Sequence, residues 1–304
     1  MSSNSTSADA VGTHPENTSA SRSQENGHPG APQSQGPGHP RAPQRHLSHR
    51  TPSYVHRIYS VWLRHVRVYS RNLFSNAMPP FLEPLIFLVG IGLGLGEYVS
   101  EMNGLPYIQY LASGLLVTAA MFTAAFECSF GTFIRLEFDK VYQGMLGSPL
   151  SAHDLIVGEM LWAATKGFIF TLSVSIIIAA FGILPLSRVL VAPFIGFLTG
   201  FMFGCLSLFI TSFVKTINHF NFYFSAFISP MFFFSGVVFP VENLPAAARP
   251  ITEIVPLTHS VRLVRAFSFV EFEMIHLWDA AYIAGFILLF GVVALKRLRR
   301  RLID

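Results

Sequence analysis

The chain has 304 residues, 51% of them apolar and 12% charged, with a mean hydropathy of +0.47. Soluble chains carry roughly 25% charged residues, so an ordinary soluble domain is excluded as the main body. A net charge of +4 admits nucleic acid as a partner in a soluble protein, but its placement argues otherwise: residues 54–72 carry +4, residues 296–304 carry +4, the first 53 carry +1, and the remainder carries −5. Basic flanks around apolar runs are what the positive-inside rule holds on the cytoplasmic side, beside anionic head groups.

Residues 1–53 hold eight apolar side chains and no Phe, Trp or Tyr. They are expected to be a disordered cytoplasmic tail, because so little apolar surface cannot offset the entropy of ordering. The first apolar run begins near residue 78, which points away from a signal peptide. From Tyr54 to Leu73 the pattern is two-faced, with Ile58, Trp62, Val66, Tyr69 and Leu73 on one side and Arg57, Arg64, Arg67 and Arg71 on the other. This predicts a basic amphipathic helix at the cytoplasmic lipid interface, aromatic side down.

Six apolar spans follow, at about 80–96, 107–130, 155–184, 189–213, 220–239 and 277–295. The predicted fold class is therefore all-α: a polytopic membrane protein of six transmembrane helices behind an interfacial helix and a tail. An even count puts both termini on one side, and Lys296, Arg297, Arg299, Arg300 and Arg301 make that side cytoplasmic. The 97–106 connection then faces out with Glu97 and Glu101 and no base, while Arg135, Lys140 and Lys215 lie on inward connections. The 240–276 segment faces out with alternating apolar and polar residues, as short helices in the outer interface would. Cys128 and Cys205 sit in apolar segments 77 residues apart and read as small buried side chains without a disulfide.

Ionisable groups within spans are costly and so are candidates for function. Glu83 precedes Pro84 at the start of span 1, Glu127 lies near the inner end of span 2, and Glu159 and Lys166 are seven apart in span 3. Seven residues are too many for a close intrahelical pair. Lys166 is expected to meet Glu127 or Glu83 on a neighbouring helix near the inner boundary, a structural role favoured over a substrate or proton role. Gly196, Gly200 and Gly204 recur every fourth residue in span 4, the small-xxx-small pattern of close helix packing. Gly90, Gly92, Gly94 and Gly96 alternate in span 1, and Pro230 predicts a kink in span 5.

No G-x-x-x-x-G-K-[ST], G-x-S-x-G, H-E-x-x-H or paired-Cys motif occurs. The chain is thus expected to be no enzyme, to hold no metal or other cofactor, and to need ATP from a partner if it is a pump. The positive signal is the inward loop from Glu137 to Ser151, with Glu137, Phe138, Asp139, Lys140, Tyr142, Gln143 and the breakers Gly147 and Pro149. Aromatics among charges on an aqueous loop suit docking to another protein.

Several strings in register resemble a known family. They are Glu83-Pro84-Leu85-Ile86 with Gly90 to Gly96, Phe126-Glu127, Met145-Leu146-Gly147-Ser148-Pro149-Leu150, Gly158-Glu159 with Trp162-Ala163 and Lys166, Ser229-Pro230-Met231, Phe234-Ser235-Gly236 with Phe239-Pro240, and Pro256-Leu257-Thr258-His259. Together they resemble the permease subunits of ABC-2 type exporters, in the nodulation J branch, over about residues 55–300. Residues 54–304 would then be the permease domain of a multi-pass protein of the bacterial inner membrane. The resemblance implies a permease homodimer with two copies of a separate ABC ATPase, which holds the ATP and Mg, and membrane lipid but no nucleic acid as a partner. It also implies that the 137–150 loop carries the helix seated in the ATPase, that the Arg helix is the interfacial connecting helix, and that 240–276 dips back into the outer leaflet. The implied cargo is an amphiphile such as a lipo-oligosaccharide or glycolipid. A secondary transporter or channel for a small hydrophobic solute is the alternative, but it needs coupling groups near the midplane, where this sequence has none.

Overall fold

The computed structural model describes residues 52–72, 78, 82, 85–269 and 272–303. The expected tail up to residue 51 and the candidate Glu83 lie outside the described residues.

The described residues are almost wholly helical. Helix α1 covers Tyr54–Arg71, with Ser53 Oγ accepting from the His56 amide at its start. A shorter apolar helix, α2, spans Leu85–Gly96, and a two-residue β-hairpin follows, pairing Glu101–Met102 with Leu105–Pro106. Asn103 and Gly104 turn it with positive φ (51° and 73°), as a tight hairpin requires. Helix α3 runs Tyr107–Phe138, α4 Val141–Leu146, α5 Ala152–Ala180 and α6 Ala192–Thr211. Helix α7 covers 219–234, α8 Pro256–Phe269 and α9 Ile275–Ile303.

Among the described residues, four stretches are long and apolar enough to cross a bilayer: α3, α5, the 186–211 segment containing α6, and α9. Of the other two expected spans, the first is described over 85–96 as α2, with residues 79–81, 83 and 84 outside the described residues. Helix α7 has 16 residues, about 24 Å at 1.5 Å per residue, against a hydrocarbon core of about 30 Å. Among the described residues the count of six full-length crossings is therefore not reproduced. Backbone breaks explain α7: a wide π turn at Phe224–Ile228 sits directly before Pro230, whose missing N–H interrupts the helical ladder, and Gly236 turns the chain with φ +82°.

Helix α3 is the most enclosed of the four and α9 the least, so α3 forms the centre and α9 the flank. Helices α5 and α6 make the most extensive pairing, and the Gly196, Gly200, Gly204 repeat is its cause. A Cβ on Gly200 would stand 2.8 Å from the Ala163 carbonyl and 3.0 Å from the Cα of Gly167, and one on Gly204 would stand 2.8 Å from the Ala163 Cβ. Only bare backbones come this close, which is how helices gain dispersion contact in lipid. The alternating glycines of α2 do something else, since side chains on Gly90 and Gly94 would meet nothing within 4 Å.

Helix α1 differs from expectation. It runs beside the first turns of α5, with Tyr54 at His153, Val61 at Gly158, and Tyr69 at Trp162. The Trp62 indole donates to Thr165 Oγ1 at 2.9 Å. Val61 and His65 are buried, and Trp62 and Tyr69 of the face assigned to lipid rest on Thr165 and Trp162, so part of that face is covered by protein.

Candidate functional site

The site lies where α1, α3, α4 and α5 meet. At 29 residues α5 is about 43 Å long, longer than the hydrocarbon core, so its N-terminal turns with Asp154 and Glu159 reach the polar boundary. Ser151 caps it in a reciprocal box, its Oγ accepting from the Asp154 amide (3.2 Å) while Asp154 accepts from the Ser151 amide (2.8 Å). Arg57 of α1 reaches the same carboxylate at 3.4 Å.

One turn further in, two carboxylates share three cations or cation-formers. Arg135 bridges them, with Nη1 at 2.8 Å from Glu127 and Nη2 at 2.7 Å from Glu159. Lys166 closes on the other Glu127 oxygen at 2.7 Å, and His65 Nε2 stands 3.1 Å from Glu159. Two acids and two permanent cations cancel, as buried charges must when water is scarce. Lys166 also lies 5.1 Å from the ring centre of Tyr69, a cation–π contact. Gly131 permits this arrangement, because a Cβ there would fall 3.3 Å from Arg135 Nη1 and 3.4 Å from the Glu127 carboxylate.

Tyr142 of α4 joins the network and corrects the sequence reading. The sequence suggests an exposed docking aromatic; Tyr142 is 2% exposed and donates its phenol proton to Glu159 at 2.5 Å, while Arg135 Nε donates to the phenol oxygen from 3.4 Å. Burial and the Glu159 carboxylate push the phenol well above its ordinary pKa, so it remains a donor. An aromatic next to charges in sequence looks solvated, and only the turn at Lys140 (φ +53°) reveals otherwise by folding α4 back under α3.

The other loop residues separate into two sets. Phe138 is 62% exposed, and Asp139, Lys140, Gln143 and Pro149 are exposed with it. Glu137 is tied to Arg301 at the end of α9 (2.8 Å), and Arg301 also donates to the Thr211 carbonyl that ends α6 (2.5 Å). Among the Arg-helix candidates, Arg57 is engaged with Asp154, Arg64 is half-buried, and Arg67 and Arg71 are exposed.

Three ligand atoms of His65, Glu127 and Glu159 lie within 4.8 Å of one another, a spacing a cation could use. Both carboxylates already bind Arg135 or Lys166, so a divalent ion would have to displace a guanidinium or an ammonium.

A second polar cluster, at the other end of the molecule, was not singled out from sequence. Buried His259 and Asp279 meet at 2.7 Å, and Arg262 binds Asp279 at 2.6 Å and Glu253 through two bonds of 2.6 and 2.9 Å. Tyr282 stacks on His259 at 3.8 Å. Nearby, Arg265 lies 3.7 Å over the Tyr110 ring and donates to Ser113 Oγ, which fastens α8 to α3. The available signal was that His259 and Asp279 are ionisable groups in or next to apolar runs.

The sequence pattern of the family described as ABC-2 type transporter matches residues 56–269. The chain is 34% identical to Nodulation protein J of Sinorhizobium fredii (strain NBRC 101917 / NGR234) and 33% identical to Nodulation protein J of Rhizobium meliloti (strain 1021), in each case over 206 residues, 68% of this chain and 79% of the relative. It is 19% identical over 202 residues, 66% of this chain and 78% of the relative, to the inner membrane transport permease YadH of Escherichia coli (strain K12). A buried ion network under a helical membrane body, with a family match across both, makes this chain a member of the ABC-2 type transporter family, the membrane subunit of a transport system.

Proposed function

We propose that the chain is the permease half of an ATP-driven exporter that moves an amphiphile outward across the bacterial inner membrane, with both termini cytoplasmic. Two permease copies work with two copies of a separate ABC ATPase, which binds ATP and Mg. The observation that carries this reading is the two-sided construction of the 137–150 loop. Its outer side offers Phe138, Asp139, Lys140, Gln143 and Pro149 to a partner. Its inner side is keyed by Tyr142 into the Glu127–Arg135–Glu159–Lys166 network that joins α1, α3 and α5.

Such a loop transmits displacement. When the ATPase pair closes and pushes on α4, the phenol, the bridging guanidinium and the two carboxylates move as one, because separating any member strands a buried charge. The helices holding those groups therefore move with α4. Closely packed α5 and α6 carry the motion across the bilayer as a rigid pair, and the opened interface passes an amphiphile of the lipid-linked or glycolipid class.

The test is co-expression with a cognate ATPase and reconstitution in vesicles. Export of a labelled amphiphile is expected only with ATP and both subunits. Movement by the permease alone down an ion gradient would instead support a secondary transporter.

A further inference from the structure

The last turns of α9 present five basic side chains: Lys296, Arg297, Arg299, Arg300 and Arg301. Two are engaged inside the protein. Arg301 binds Glu137 and the Thr211 carbonyl, and Arg297 lies 4.1 Å over the Phe213 ring. The other three, Lys296, Arg299 and Arg300, form no ion pair among the described residues, and all three line one cavity of about 580 Å³. His153, at the capped start of α5, and Leu295 and Ile303 complete its wall, and among the described residues no carboxylate lines it.

Depth gives the cavity its meaning. Leu295 ends the apolar run of α9 and Lys296 begins its basic end, so the cavity straddles the boundary between hydrocarbon and head groups. A ligand that satisfies it carries an anion for three cations and an apolar portion for Leu295, on the hydrocarbon side of them. Basic pockets between membrane helices hold anionic lipid head groups by this combination, whereas a free anion has no use for the apolar wall. We infer that the cleft between the start of α5 and the end of α9 is a specific site for an anionic glycerophospholipid, its phosphate held by Lys296, Arg299 and Arg300 and its acyl region lying on Leu295. The inference requires only that α9 crosses the bilayer. It is independent of the transported cargo and of the ATPase.

The site also bears on the network described above. The same helical end that holds the lipid holds Glu137 through Arg301, so an occupied cleft fixes the C-terminal turns against which the loop is braced.

The full-length chain in nanodiscs of phosphatidylethanolamine and phosphatidylglycerol, stripped stepwise with detergent and weighed by native mass spectrometry, tests the site. The unmodified protein is expected to keep phosphatidylglycerol, and R299Q/R300Q to retain about tenfold less. The matched double variant R67Q/R71Q, which removes the same charge from exposed positions of α1, is expected to retain it as the unmodified protein does. Equal losses from both doubles would mean diffuse attraction of head groups and would overturn the site. Release of the lipid by excess inorganic phosphate alone would assign a free-anion pocket and overturn it too. If R299Q/R300Q fails to insert, Arg299→Gln alone is expected to lower retention about threefold, and unchanged retention would count against the inference.

Discussion

The two buried polar clusters use similar chemistry for different ends. The network at Glu127 and Glu159 draws on residues 65, 127, 135, 142, 159 and 166, from four helices. The cluster at Asp279 draws on residues 253, 259, 262, 276 and 279, all within the closing part of the chain. The first ties distant segments to one another and to a surface loop; the second staples one helix pair, α8 to α9. A charge cluster's reach along the sequence, more than its strength, decides whether it can pass movement between parts.

Substitutions sharpen this contrast. The largest effect is expected from Arg135→Gln, which leaves Glu159 with His65 and Tyr142 but without its permanent cation and removes one of the two cations on Glu127; loss of one partner of a buried pair costs about 3–5 kcal/mol, and differential scanning in detergent should show it together with loss of ATPase association. Asp279→Asn should cost roughly 1.5–3 kcal/mol through weakened charge-assisted bonds, yet leave ATPase association intact. If Asp279→Asn uncouples the ATPase as Arg135→Gln does, the proposed difference between the clusters fails. Tyr142→Phe removes one hydrogen bond to a carboxylate that keeps Arg135 and His65, so about 1.5 kcal/mol is expected, with protease sensitivity rising in the 139–150 loop before the protein melts. Arg57→Gln, at a 3.4 Å pair with a buried Asp154 that keeps its two bonds from Ser151, should cost about 1 kcal/mol. Phe138→Ala should leave melting unchanged, since that ring is solvent-exposed, while reducing co-purification of the ATPase; unaltered co-purification would remove the ring from the docking surface.

What the sequence discloses depends on how local the cause is. The glycine repeat at 196, 200 and 204 is legible because helical spacing alone puts three missing side chains on one stripe. Glu127, Glu159 and Lys166 stand out because charge in an apolar run needs a partner, and Lys166 was narrowed to Glu127 or Glu83; the structure sets it against Glu127. Arg135, His65 and Tyr142 are invisible as members, since Arg135 lies on an inward connection, His65 in an Arg-rich helix and Tyr142 in a charged loop, where a charge or a phenol passes for solvated surface. Their burial is created by tertiary packing, first by α1 against the notch at Gly158 and then by α4 folding back at Lys140. The shortness of α7 is hidden for a related reason, because hydropathy registers apolar content and not where the ladder of hydrogen bonds gives out.

Helix α3 widens twice near its inner end, with π turns at Glu127–Gly131 and Ile134–Phe138. Each inserts backbone beyond the usual count per turn, and between them they contain Glu127, Arg135, Glu137 and Phe138. The central pillar is therefore regular where it is enclosed by its neighbours and loosely wound where it bears the loop. A wide turn can tighten by passing its surplus residue to the next, which rotates the side chains beyond it without bending the rod above. The lower end of α3 is in this sense a swivel: Phe138 can turn under load while Tyr110 and Ser113, more than three-quarters of the helix away, keep their places against α8.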